Sequence, residues 1–303
     1  MTESNSLYEE ADSPDETDAE TNSRTPESAA SETQPATELV GKQLEIGYPS
    51  TERPVVECDR VLLPAGEVTA LVGPNGSGKS TLLKSMANQL TPDRGTIRLD
   101  GEELQSLGSK QLARQVGLLS QENESPGSLT VETLAAHGRY PHRGFFETLT
   151  QADHDAIERG IDLAGVEHLR ETELENLSGG QKQLAWIAMV LAQETELLLL
   201  DEPTTFLDLH HQLRVLSVVR TLNQDSDVTV GIVLHDIGQA ARFADNLIAM
   251  KDGEPYDWGP PNEVVTEQLL ADVFRVDASV DTESPTGPHI SPHCALEDGS
   301  ADE

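Results

Sequence analysis

Gly73-Pro-Asn-Gly-Ser-Gly-Lys79-Ser80-Thr81 fits the phosphate-loop pattern G-x-x-x-x-G-K-[ST] at every fixed position. Upstream, Glu67-Val-Thr-Ala-Leu-Val72 reads as a buried strand, and downstream Thr81 to Leu90 carries apolar residues at helical spacing. Strand, glycine-rich loop and helix together predict a site for a nucleoside triphosphate. Gly73, Gly76 and Gly78 allow a tight turn whose N–H groups reach phosphate oxygens, with Pro74, Asn75 and Ser77 completing the loop. The helix that follows aims its free N–H groups and positive dipole end at the same anion. Lys79 is expected to reach the β- and γ-phosphates and the Ser80 hydroxyl to ligate Mg²⁺, with Thr81 beside it.

Working outward, Leu177-Ser-Gly-Gly-Gln181 opens a predicted helix with Ser178 as its cap. Leu197-Leu-Leu-Leu-Asp201-Glu202-Pro203 is an apolar strand that ends in two carboxylates. In such a pair the first acid, Asp201, suits Mg²⁺, and the second, Glu202, suits polarising a water. Strands are expected at 39–46, 68–72, 116–120, 196–200 and 228–234. Helices are expected at 109–115, 131–137, 152–164, 180–192 and 209–222. Apolar strands interleaved with helices predict an α/β fold around a parallel sheet covered on both faces.

Composition sets the remaining bounds. The 303 residues suffice for one large domain and carry a formal net charge of −34. Eleven acids face the single base Arg24 within the first 38 residues, and the rest of the chain is still strongly acidic. Such a surface fits a salt-rich cytoplasm, where screening relieves self-repulsion. It argues against nucleic acid as a partner, because phosphates are neutralised by Lys and Arg. Two cysteines, Cys58 and Cys294, make no disulfide or zinc framework and point to a reducing cytosol. No apolar run reaches the length of a membrane span, so a membrane pore would come from other chains. Residues 1–37 and 281–303 read as disordered acidic tails flanking a domain over 38–280. His289, His293 and Cys294 are taken as isolated residues of the second tail, and His210 and His211 as helix-surface residues.

In this order the motifs resemble those of the ATP-binding subunit of an ABC transporter, over about 39–276. Tyr48 stands where that family has its adenine-stacking aromatic, Gln121 matches its glutamine loop, Asp208 its D-loop and His235 its switch histidine. The resemblance implies an ABC ATPase domain with a phosphate-loop core, a β subdomain and a helical subdomain. It implies ATP on Tyr48 and the loop, Mg²⁺ held by Ser80, Gln121 and Asp201, Glu202 as general base, and His235 at the γ-phosphate. Ser178, Gly179, Gly180, Gln181 and Asp208 would complete the site of a second copy in a homodimer. Thr130 to His142 is similar to a segment of importers for iron chelates, haem and cobalamin, and Pro203 to Gln212 to a form common in ferric-siderophore importers. The implied partners are two permease subunits and an extracytoplasmic binding protein, with the chain peripheral at the cytoplasmic face of the membrane. Cobalamin or haem import and a soluble non-transport ATPase remain the alternatives.

Overall fold

The apolar run before the phosphate loop becomes β3 (Val68–Val72), every residue of which is buried. A computed structural model describes residues 37–51, 53–121, 128–144, 147–284 and 287–297. They belong to one compact unit spanning 35–303. Four strands beside β3 build its central sheet: β6 (Val116–Leu119), β7 (Leu197–Asp201), β8 (Thr229–Val233) and β9 (Asn246–Lys251). These five run parallel in the order β9-β3-β8-β7-β6, and β10 (Glu254–Gly259) adds an antiparallel edge to β9. Side chains alternate between two cores, so that Leu198 and Leu200 face the helices while Leu197 and Leu199 face the other layer. Burial on both faces is why these strands read as unbroken apolar runs.

That other layer is a second sheet, ordered β2-β1-β4-β5, built from β1 (Leu39–Ile46), β2 (Val56–Leu63), β4 (Arg94–Leu99) and β5 (Glu102–Glu103). The strand expected at 39–46 therefore lies outside the parallel sheet. Its link to β2 is too short for a helical crossover, and short links join antiparallel strands. Cys58 sits on β2 against the core, where burial pushes its thiol up to about 11. Between the two sheets runs α1 (Lys79–Met86), the helix of the phosphate loop.

The helices α2 (Ser109–Gln115), α3 (Val131–His137), α4 (Gln151–Ala164) and α5 (Gly179–Ala192) follow, with ends within one residue of expectation. Buried Arg139, just after α3, ties three of these elements together. Its Nε donates to Asp153 Oδ1 at 2.9 Å, and its Nη1 donates to Ala192 O at 2.8 Å and Glu194 Oε2 at 2.9 Å. Burial would raise the Asp153 pKa, but the N–H and hydroxyl of Thr150 and the Arg139 guanidinium outweigh it and hold the carboxyl well below the usual range. The last helices are α6 (Leu209–Ser226), α7 (Ile237–Phe243), α8 (Pro261–Val264) and α9 (Glu267–Phe274).

The C-terminal boundary needs correction. Within the stretch expected to be a disordered tail from 281, residues His289–Ala295 form β12, which pairs antiparallel with β11 (Val276–Asp281). Val280 and Ile290 lie opposite each other and pack on the main core, which gives this otherwise exposed hairpin its anchor. His293 bonds to Ser279, and Cys294 is exposed on the same strand. The N-terminal tail lies outside the described residues except Thr37. Thr37 is buried, donates its hydroxyl to Glu196 and accepts from Thr229 at its carbonyl. Among the described residues no helix is long and apolar enough to cross a membrane.

Candidate functional site

The glycines of the phosphate loop are fixed by backbone geometry. Gly73, Gly76 and Gly78 all have positive φ, at 145°, 80° and 95°. A Cβ on Gly73 would lie 2.2 Å from the Met250 carbonyl, so only glycine lets the loop sit against β9. Lys79 leads α1 and is buried, its Nζ donating to Gly73 O at 2.9 Å and Pro74 O at 2.8 Å. Burial lowers its pKa, opposed by the charges of Glu202 and Asp201.

The ends of the parallel strands supply the acids. Ser80 Oγ donates to Asp201 Oδ1 at 2.8 Å, and Asp201 is 1% exposed. Asp201 Oδ2 is buried with no hydrogen-bond partner. Burial raises the Asp201 pKa, in spite of the bond from Ser80. An orphaned buried carboxylate oxygen beside a hydroxyl is a donor set that fits a hard divalent cation.

Glu202 follows with φ 52°, a strained value for a non-glycine residue. Its Oε2 accepts from Gln121 Nε2 at 2.6 Å and from Thr205 Oγ1 at 3.2 Å, and lies 2.7 Å from His235 Nε2. Residues from three separate stretches of sequence thus meet at one oxygen. They line an open hollow of about 470 Å³ together with Lys79, Ser80, Thr81 and the loop residues Asn75, Gly76 and Gly78. Such a hollow, lined by loop N–H groups, the Lys79 ammonium and the Glu202 carboxylate, can hold a polyphosphate and remove a proton from a water beside it.

The other expected residues stand at its margins. Tyr48 lines a neighbouring hollow and its hydroxyl is 3.4 Å from Thr81 Oγ1. Ser178 and Gln181 form a reciprocal capping box at the start of α5, with Gly179 and Gly180 in its first turn. Those four residues and Asp208, the cap of α6, take no part in lining the chain's own hollow. His211 is more than a surface residue. It bonds to Asp208 Oδ1 through both its backbone N and its Nδ1 at 2.9 Å, and its ring would meet a Cβ on Gly180 at 2.6 Å. Sequence reading missed Thr205 and the 98% exposed Phe206. A large aromatic in the short turn between Thr205 and Asp208 was the available signal for the second, and nothing in the pattern marks the first.

Comparison with known proteins gives this geometry its kinship. Residues 59–205 match the family described as ABC transporter. The ferric enterobactin transport ATP-binding protein of Escherichia coli is 44% identical over 80% of this chain and 89% of its own length. A petrobactin import ATP-binding protein of Bacillus anthracis is 42% identical over 84% and 93%. The cobalamin import ATP-binding protein of Halobacterium salinarum is 37% identical over 73% of this chain and 55% of its own. Among solved structures, an inward-facing ABC transporter described as metal-chelate type superposes with a TM-score of 0.71 at 27% identity, covering 86% of this chain and 98% of that one.

Proposed function

The chain belongs to the ABC transporter family as an ATP-binding, ATP-hydrolysing subunit, and from that premise we propose that it drives an importer of ferric siderophores. The observation that carries the substrate class is the near full-length likeness to subunits named for iron-chelate import. The cobalamin importer subunit, of which the chain spans about half, supports a second reading. Haem import is kept beside it on the likeness of Thr130 to His142 alone.

In this reading adenine stacks on Tyr48 and the phosphates lie along the loop amides and Lys79. Ser80, Gln121 and Asp201 would hold Mg²⁺, which neutralises phosphate charge when bound. Glu202 takes the proton of the attacking water and His235 donates to the γ-phosphate. Ser178, Gly179, Gly180, Gln181 and Asp208 meet the nucleotide of a second copy, which explains why they stand outside the chain's own hollow. Lys79→Ala is expected to weaken ATP binding about 10–150-fold, equivalent to about 1.5–3 kcal/mol for hydrogen bonds from a charged donor. Titration with a fluorescent ATP analogue measures it, and unchanged affinity would remove Lys79 from the phosphate site.

The permease would dock beside α2 and the turn after α3. Tyr140 is 59% exposed there, stacked on His137. Around it stand Lys110, Arg114 and Arg143, none paired with a carboxylate among the described residues, in a chain with 54 acids and 20 bases. Lys110 Nζ donates to Arg143 O at 2.7 Å and Arg114 Nε to Pro141 O at 2.9 Å. A permease segment carrying carboxylates matches this surface. Lys110→Glu combined with Arg114→Glu is expected to reduce recovery of the chain with the permease in membrane fractions, and undiminished recovery would rule out this docking chemistry. The strongly acidic remainder suits a salt-rich cytoplasm, in which case circular dichroism should show structure lost as potassium chloride is removed.

Uptake of a labelled ferric siderophore in cells lacking the gene tests the substrate class. Restoration by wild type and not by Lys79→Ala is the expected result. Intact iron uptake with lost cobalamin uptake would transfer the assignment to the second reading.

A further inference from the structure

We propose that Gln212 and Gln239 are positioning residues for ATP hydrolysis, two facing amides that fix the turn after Glu202 against the helix after His235. The proposal rests on the roles given above to Glu202 and His235.

Gln212 lies in the first turn of α6 and is half-buried. Its Nε2 donates to Leu207 O at 3.1 Å and reaches Thr204 O at 3.5 Å, bracketing the turn that carries Phe206. Its Oε1 accepts from Gln239 Nε2 at 2.8 Å. The backbone N–H of Gln239 donates at 2.9 Å to Asp236 Oδ1, which caps α7 directly after His235. On the opposite side Glu202 Oε2 accepts from Thr205, in the same turn, and lies against His235 Nε2.

These links form a closed ring: from Glu202 through the Thr204–Leu207 turn to Gln212, across to Gln239, through the α7 cap to His235, and back to Glu202. Neither amide lines the nucleotide hollow, so neither touches the reacting atoms. Among the described residues no backbone hydrogen bond joins the two loops, which leaves the amide pair as their polar connection away from the hollow. The turn also needs an external hold, since Glu202 and Phe206 both have positive φ, 52° and 63°. An amide presents a donor and an acceptor at fixed separation, so it sets the spacing of the loops as well as satisfying them. Phe206 and Asp208 stand exposed on this turn, where a second copy would press. Through the ring, a shift of that turn reaches His235.

The test uses the purified full chain with Gln212→Met and Gln239→Met, which keep the bulk of the side chain and remove the amide. Each is expected to lower kcat about tenfold, the size of one lost hydrogen bond. KM for ATP and the thermal midpoint should stay near wild type. The double variant should fall no further than either single one, and Gln239→Met should cost nothing more in a His235→Ala background. Wild-type kcat in both single variants, or losses that multiply with His235→Ala, would overturn the proposal. If His235→Ala is slow and the glutamine variants are normal, only this inference fails. Normal hydrolysis by His235→Ala would overturn it together with the role given to the histidine.

Discussion

Glu202→Gln is expected to reduce ATP turnover about 10²–10⁴-fold, the range that a positioned general base supplies. The amide has nearly the shape of the carboxylate, and its oxygen can still accept from Thr205 and Gln121, so the strained backbone at this position keeps its supports. What it loses is the capacity to take a proton from water. Nucleotide binding should therefore persist, and two copies closed around unhydrolysed ATP should accumulate. Gel filtration with ATP would show a dimer in the variant and mostly monomer in the wild type. Hydrolysis near the wild-type rate would refute the assignment of Glu202 as base.

The second large effect concerns stability. Arg139→Met should destabilise the chain by about 3–5 kcal/mol, the usual cost of removing one partner of a buried ion pair. Arg139 and Asp153 side chains are each 6% exposed, and without the guanidinium the Asp153 charge stays buried while Ala192 O loses a donor. Urea unfolding measures the difference, and a loss below about 1 kcal/mol, the value of an exposed pair, would show the bridge to be structurally minor. The same carboxyl predicts an acid limb. Because its folded pKa is depressed, its contribution is complete above the unfolded value of about 3.9 and is lost as pH falls toward the folded value. The stability gap between wild type and Asp153→Asn should accordingly shrink below about pH 4.

Much of the nucleotide-binding core was legible because its signals are local. Val68–Val72 and Leu197–Asp201 are continuous apolar runs, and the phosphate loop is a contiguous pattern. The second sheet was harder to read. In β2, Glu57, Asp59 and Arg60 interrupt the apolar residues, since one face meets solvent and the alternation is broken. The terminal hairpin has almost no apolar signal, and its fixed points are the opposed pair Val280 and Ile290. At the site, Lys79, Ser80, Asp201 and Glu202 stand out by residue type, Gln121 and His235 are identified through the family resemblance alone, and Thr205 and the pairing of Gln212 with Gln239 were not readable. Gln121 bonds to Glu202 across 81 positions, and Gln212 to Gln239 across 27, and glutamines in loops and first turns follow no period.

The two thiols of this chain have a practical consequence. Cys58, held under the β-sheet layer with its pKa near 11, is almost wholly un-ionised at neutral pH and shielded from reagents. Cys294 stands in the open on β12. Maleimide chemistry should therefore place a single dye on the native chain at Cys294. In a dimer that gives a symmetric pair of probes, so energy transfer between two colours could follow ATP-driven closure in real time without any engineered cysteine.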